Sequence, residues 1–305
     1  MNLVLVSRTE SKLKDAAAEL ANAHGVDTRV CAADLCRPDD ATFSRLAAAL
    51  AGLEVGVLVN NAGMCYAYPE YLDAVEDATV ADIVNINVVA PTRVRRACPP
   101  ELPFFLEGLP GGWEGLQAWQ AASRRPAARA GNASPCRFPL AQLAKLVLPG
   151  MKARRRGAIV NIGSGVSTAM PSCPLLATYA GTKAYVDTFS RALAAEYAPF
   201  GIRVQNQAPN FVATKMSKIR RPRLDAPTPA AWARAAVGQI GREVVISPYW
   251  FHGLQLLGVR VAPAFAIDRY VMNLHQVIRR KYLQRHAPGG GGAAAAAAPG
   301  AKKTK

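Results

Sequence analysis

Residues 54–63 read Glu-Val-Gly-Val-Leu-Val-Asn-Asn-Ala-Gly. The apolar run Val55–Val59 lacks the alternation of a half-exposed strand, so it reads as a strand buried on both faces. Four small or amide-bearing residues follow it directly. At the carboxyl end of a parallel strand, small residues let the backbone approach a ligand, and Asn side chains tie neighbouring strands together. Taken singly such a tetrapeptide is most often a turn. Its meaning comes from the sequence on either side.

Towards the amino terminus, Leu3–Val6 is another short apolar run. Thr9 caps a predicted helix through Leu13, Ala16–Ala18 and Leu20 that ends near Gly25. A second strand is expected at Arg29–Ala33 and a helix at Phe43–Leu53, just before the quoted stretch. Beyond it, helical periodicity covers Val80 to about Arg96, then a strand covers Ala158–Ile162, a helix Thr178–Ala198, and a further strand starts at Val204. Uniformly apolar strands alternating with helices predict an α/β fold, a doubly wound parallel sheet of Rossmann type.

Composition allows this. Half of the 305 residues are apolar and 19% are charged, enough to build a core and to exclude wholesale disorder. The six Cys form no CxxC pair and keep no ligand spacing with the four His, so no metal site is expected. Lys plus Arg number 37 against 21 acidic residues, a net charge of +16 that suits an anionic partner without choosing one.

Three further positions carry chemistry. Asn87 lies in a helical stretch, where an interior Asn is disfavoured and a buried one needs a polar task. Ser164, in Gly163-Ser164-Gly165, follows a strand at the sheet edge where ligands sit. Tyr179 and Lys183 stand four residues apart, on one helix face, where the ammonium favours the phenolate and lowers the Tyr179 pKa towards working pH.

In this order the residues resemble the Asn-Ser-Tyr-Lys tetrad of the short-chain dehydrogenase/reductase superfamily. The strings LVLVSRTESKLKDAAAEL (3–20), LVLPGMKARRRGAIVNIGSG (146–165), TYAGTKAYVDTFSRALAAEY (178–197) and VATKMSKIRRP (212–222) are similar to the microsomal very-long-chain 3-oxoacyl-CoA reductases, notably of plants and green algae. The resemblance implies an NADPH-dependent enzyme. Tyr179 protonates the substrate carbonyl, Ser164 hydrogen-bonds its oxygen, Lys183 lowers the Tyr179 pKa and holds the nicotinamide ribose, and Asn87 anchors a water in the proton relay. It also assigns cofactor contacts to Asn61, Ala62 and Gly63, to Arg8 for a 2′-phosphate, to Asp34 for the adenine, and to Pro209 and Thr214 over the nicotinamide. Asn210 stands where the family has Gly.

Two departures shape the expected domain, residues 1–285. The family's first strand and TGxxxGxG loop, which hold the pyrophosphate, have no counterpart, so Met1 falls at the family's second strand and the domain reads as amino-terminally truncated. The expectation is a sheet with unpaired edges and weakened NADPH binding. A Gly-, Pro- and Arg-rich stretch at about 97–142 interrupts the domain and is expected to be an insertion. Its CRFPLAQ ending (136–142) is compatible with a pyrimidine-rich tract before CAG, as at an intron end. Residues 286–305 form a low-complexity tail ending Lys302-Lys303-Thr304-Lys305, a dilysine pattern of endoplasmic-reticulum membrane proteins.

The expected function is reduction of 3-oxoacyl-CoA to 3-hydroxyacyl-CoA in very-long-chain fatty-acid elongation. It would take place at the endoplasmic reticulum membrane with the active face cytosolic. The expected partners are an acyl-CoA thioester, elongase-complex proteins and an anionic membrane surface, not nucleic acid. The alternatives are a 17β-hydroxysteroid or other lipid-ketone dehydrogenase, and a catalytically impaired fragment. The apolar stretch Pro248–Leu274 contains His252, Arg260 and Asp268 and is expected to seek a surface or re-enter a membrane rather than cross it.

Overall fold

The computed structural model describes residues 2–88 and 139–287. Most of the expected insertion, and nearly all of the tail, lie outside the described residues. The helix expected to run on to Arg96 can be followed only to Asn87.

Among the described residues six parallel strands form: β1 (Leu3–Ser7), β2 (Thr28–Ala32), β3 (Val57–Asn60), β4 (Gly157–Ile162), β5 (Ile202–Gln207) and β6 (Val245–Ile246). They divide into two sheets, β1–β2 and β3–β4–β5–β6. No pairing joins β1 to β3, in keeping with the expected unpaired edges. The first helix, α1 (Glu10–His24), begins after Thr9 and closes on Gly25, whose left-handed φ of 59° suits glycine. Asp39 caps α2 (Asp40–Leu50), accepting the Thr42 N–H while the Thr42 hydroxyl accepts the Asp39 N–H.

Next come α3 (Asp77–Asn87) and α4 (Pro139–Arg154). Asn87 is therefore the last residue of its helix and not an interior one. Helix α4 starts within the stretch at about 97–142 that the sequence assigns to an insertion. A one-turn helix α5 (Gly165–Thr168) follows β4, and the long α6 (Ala177–Tyr197) precedes β5. Helices α7 (Pro229–Val237), α8 (Trp250–Val261) and α9 (Ala264–His286) complete the described fold. The apolar stretch at 248–274 is thus broken at Ala262-Pro263 into two helices, and among the described residues no helix is long and apolar enough to cross a membrane.

Helix α4 spans both sheets. Ala144, Val147, Leu148 and Met151 pack with Ile159, Leu193, Ile202 and Val204 of the larger sheet and α6. Leu143 and Leu146 pack against Cys31, Ala33, Leu35 and Leu46 beside the smaller one. Burying these aliphatic side chains contributes roughly 1.5–3 kcal/mol each.

A polar belt crosses this apolar interior. Asn60, Asn161 and Asn206 are register partners on β3, β4 and β5. Asn60 Nδ2 donates to Asn161 Oδ1 at 2.8 Å, Asn161 Nδ2 donates to Ser190 Oγ at 2.8 Å, and Asn206 Nδ2 donates to Asp187 Oδ1 at 2.6 Å. The belt fixes strand register relative to α6, because a slip by one residue would bury these amides without partners.

Candidate active site

The strand ends bring the singled-out residues together at the carboxyl edge of β3, β4 and β5. Gly163 N–H donates to Gln207 O, and Gly165 N–H donates to Pro209 O, each at 2.8 Å. These bonds tie the loop after β4 to the loop after β5 and fix Ser164 between them. Its hydroxyl accepts the Val166 N–H at 3.3 Å and caps α5. On α6 the Tyr179 phenol lies near enough to Ser164 for that hydroxyl to favour its phenolate. One turn further on, Lys183 is buried, with its Nζ donating to Ile162 O at 2.8 Å and lying 5.8 Å from the Tyr179 ring centre.

Asn87 meets the same group from the other side. Its Oδ1 accepts the Met64 N–H, and its Nδ2 donates to Met64 O at 2.8 Å and to Thr182 Oγ1 at 3.0 Å. Both amide hydrogens are thereby used. Gly63 is the close-approach point, since an added Cβ would come within 3.1 Å of Asn87 Oδ1 and 3.6 Å of Lys183 Nζ.

A cleft of about 2960 Å³ opens over this edge. Arg8, Asn61, Ala62, Gly63, Ser164, Tyr179, Lys183, Pro209 and Thr214 all line it. It far exceeds an ordinary small-ligand pocket because the unpaired edges of β1 and β3 line it too. Asp34 does not line it, although its neighbours Ala33 and Leu35 do. The Asp34 carboxylate instead accepts the Cys36 N–H at 2.9 Å.

The electrostatics differ from the expectation in one respect. Burial pushes the Tyr179 phenol up to about 12, with the Cys65 thiol adding to the effect and the Ser164 hydroxyl opposing it. Burial also pulls the Lys183 ammonium down to about 8, a shift the Cys65 thiol partly opposes. The expected lowering of the Tyr179 pKa by Lys183 is therefore not seen. Loss of water at the phenol outweighs the cation, whose hydrogen bond goes to a backbone carbonyl. At neutral pH the phenol holds its proton and is an acid ready to donate.

Several supporting residues had no motif to announce them. Asn210, in the family's Gly position, donates its N–H to His252 Nδ1 at 3.3 Å and its Nδ2 to Gln255 Oε1 at 3.0 Å. His252 is fully buried, and its Nε2 faces Asp225 O at 3.3 Å, so this one ring clamps the loop after β5. Helix α9 is fastened to two site loops: His275 Nδ1 lies 2.6 Å from Pro174 O, and Arg279 pairs with Glu70 at 2.6 Å. Burial alone would raise the Glu70 carboxyl, but Arg279 and the Tyr71 N–H hold it below its usual range. Leu175 takes a left-handed φ of 65°, strained for a branched residue, and its carbonyl accepts the Glu70 N–H at 2.9 Å. The only sequence signal for these was polar residues interrupting apolar runs.

The chain is similar over most of its length to known proteins. The very-long-chain 3-oxoacyl-CoA reductases of Anas platyrhynchos and Homo sapiens are each 33% identical over 287 residues, 93% of this chain and 75% of theirs. Reductase-B of Danio rerio is 31% identical over 290 residues, 94% of this chain and 76% of its own. Among solved structures, a 7β-hydroxysteroid dehydrogenase aligns with a TM-score of 0.60 at 19% identity, covering 89% of this chain and 86% of that one. A Sphingobium yanoikuyae short-chain dehydrogenase in complex with NADPH aligns at 0.57 and 23%, covering 92% and 87%. These two likenesses bear on the fold alone. The short chain dehydrogenase profile matches residues 1–108 and 137–225. With that match running through both sheets, and relatives a third identical over nearly all of its length, the chain belongs to the short chain dehydrogenase family.

Proposed function

We propose that this protein reduces the 3-keto group of a long-chain 3-oxoacyl-CoA to a hydroxyl, using NADPH, in very-long-chain fatty-acid elongation. The observation that carries the reading is the placing of Ser164, Tyr179 and Lys183 on the wall of one large cleft, with Lys183 Nζ 5.8 Å from the Tyr179 ring centre. The identity to very-long-chain 3-oxoacyl-CoA reductases supports the choice of substrate.

NADPH supplies the hydride when bound. The residues present fit its nicotinamide end: Asn61, Ala62 and Gly63 offer a small-residue wall, Pro209 and Thr214 line the same cleft, and Lys183 Nζ lies close to Gly63. Arg8, exposed just after β1, would meet a 2′-phosphate; Asp34, which does not line the cleft, is given no contact with the cofactor. Among the described residues no glycine-rich loop cradles a pyrophosphate, so no role is assigned there.

Tyr179 donates its phenolic proton to the carbonyl oxygen as negative charge develops on it. Ser164 offers a second hydrogen bond to that oxygen, aimed where the charge appears. Lys183, charged at neutral pH, stabilises the phenolate that Tyr179 leaves behind. Asn87 holds the Met64 backbone and thereby the wall beside Gly63, and any water it holds must use the remaining Oδ1 lone pair.

The proposed location is the endoplasmic reticulum membrane with the site facing the cytosol, where elongase proteins deliver the thioester. The test is NADPH oxidation, followed by absorbance, with a long-chain 3-oxoacyl-CoA. Wild type should turn over and Tyr179→Phe should lose at least about a hundredfold in kcat, the contribution expected of a general acid. Equal rates for the two proteins, or turnover confined to a steroid ketone, would overturn the reading.

A further inference from the structure

We propose that helix α8 docks flat on an anionic phospholipid bilayer through a face that the fold leaves uncovered. Trp250, Leu254, Leu257 and Val261 are exposed by 62%, 56%, 58% and 77%. At 100° per residue these four positions fall within an arc of about 60°. Phe265, at the start of α9, continues the stripe at 76% exposure.

The opposite side of α8 is already occupied. His252 and Leu256 are buried, and Gln255 and Val259 line the cleft. A helix apolar on both its inner and outer sides does not suit a water-facing position, and a contiguous apolar stripe of this kind marks a contact surface. The helix has 12 residues, so it spans roughly 18 Å against a hydrocarbon core of about 30 Å. It can lie in the interface but cannot cross. Trp250 at its amino-terminal end is the residue type that partitions to the headgroup zone.

Charge identifies the occupant. From Val245 to His286 the sole carboxylate is Asp268, which accepts a hydrogen bond from Ser172. The same span holds Arg260, Arg269, Arg279, Arg280, Lys281 and Arg285. Arg260 near the end of α8 and Arg269, one turn after Phe265 on α9, are both exposed. Apolar side chains accompanied by arginine complement anionic headgroups over acyl chains. A second copy of the chain would instead bring like charges together across a two-fold contact. Because Gln255 and Val259 face the cleft, α8 would form the wall between bilayer and site. This last step, with an acyl chain passing along that wall, rests on the reductase reading; the docking does not.

The test uses the full chain with sedimenting vesicles of phosphatidylcholine, with or without phosphatidylserine. Wild type should bind the serine-containing vesicles more tightly. Leu254→Gln/Leu257→Gln should weaken that binding at least about tenfold, because each buried leucine is worth roughly a decade of partitioning. Arg260→Gln/Arg269→Gln should lose the preference for anionic lipid and keep the weaker binding. Circular dichroism should match wild type for both, since the substituted side chains are exposed. Wild type that stays in the supernatant, or a leucine variant that binds as wild type, overturns the proposal. So does a leucine variant whose light-scattering mass falls from dimer to monomer with vesicle binding unchanged, which would give the face to a second copy. NADPH oxidation on a water-soluble short-chain 3-oxoacyl-CoA reports the reaction separately from vesicle binding.

Discussion

The Asn87 side chain clasps the Met64 peptide from both sides, its Oδ1 accepting the N–H and its Nδ2 donating to the carbonyl, each at 2.8 Å. The end of α3 is thereby bound to the loop after β3, and the third bond, to Thr182, carries the tie onto α6 one residue before Lys183.

Replacing Asn87 by Ala should therefore do two things. Leaving the part-buried Met64 backbone groups without partners costs about 1–2 kcal/mol of stability, measurable as a lower urea midpoint. Releasing the wall beside Gly63 should lower kcat/KM for NADPH oxidation by about ten- to a hundredfold, since small misplacements of a site are amplified in rate. Asn87→Asp keeps the acceptor and loses the donors, so it should fall between the two proteins. An Asp variant as damaged as Ala would mean the donors matter more than the clasp.

Gly163 offers a sharper test of packing at the site. A Cβ there would overlap the Asn206 amide, which is fully buried and held by Asp187. Asn206 cannot move aside without giving up that bond. Gly163→Ala should destabilise the protein by about 1–3 kcal/mol and shift Ser164 relative to Tyr179, so the fall in kcat should exceed the fall in substrate affinity. Unchanged thermal stability would show that the belt yields more easily than its burial suggests.

How much of this the sequence disclosed depends on whether a feature is local. The helix start after Thr9, the stop at Gly25 and the apolar strands are encoded within a few residues and form within one or two positions of expectation, although the Thr9 side chain makes no capping bond. Tyr179 and Lys183 share a helix face for the same reason. The clamp of Asn210 by His252 joins positions 42 residues apart, and the Glu70–Arg279 pair joins positions 209 apart. No periodicity or spacing encodes such contacts, because the fold itself creates them. The Tyr179 pKa is a comparable case: i,i+4 spacing predicted the neighbour correctly, but burial raises the phenol, and the Cys65 and Cys173 thiols, distant in sequence, add to the rise.

Those two thiols make a prediction of their own. Burial pushes Cys65 up to about 11 and Cys173 up to about 12. Near neutral pH roughly one part in ten thousand of such a group is thiolate, about two decades below an ordinary cysteine. Both should react with iodoacetamide at least about a hundredfold more slowly than glutathione, the rate following thiolate content. Peptide mass spectrometry after timed quenching reads this directly. Labelling at the glutathione rate would place charge or water beside Tyr179 and undo the argument for its raised pKa.

Lys183 links stability and activity in opposite senses. Its pKa falls from 10.5 to about 8 on folding because burial disfavours the ammonium. Between these values the unfolded chain binds more protons than the folded one, so stability rises with pH across that window and is lost again as pH falls through 8. Lys183→Met removes the effect. The stability of wild type minus that of Lys183→Met should be flat below about pH 7 and grow by about 1 kcal/mol between pH 8 and 9. The raised pKa values of Cys36, Cys65 and Cys173 oppose this above pH 9, but they are common to both proteins and cancel in the difference. The charged lysine is the form that supports the Tyr179 phenolate, so kcat should fall over the same interval in which stability climbs. Urea melts and NADPH oxidation at matched pH values from 7 to 9 test both slopes. Curves that move together would mean that Lys183 already carries a neutralising partner in the folded protein.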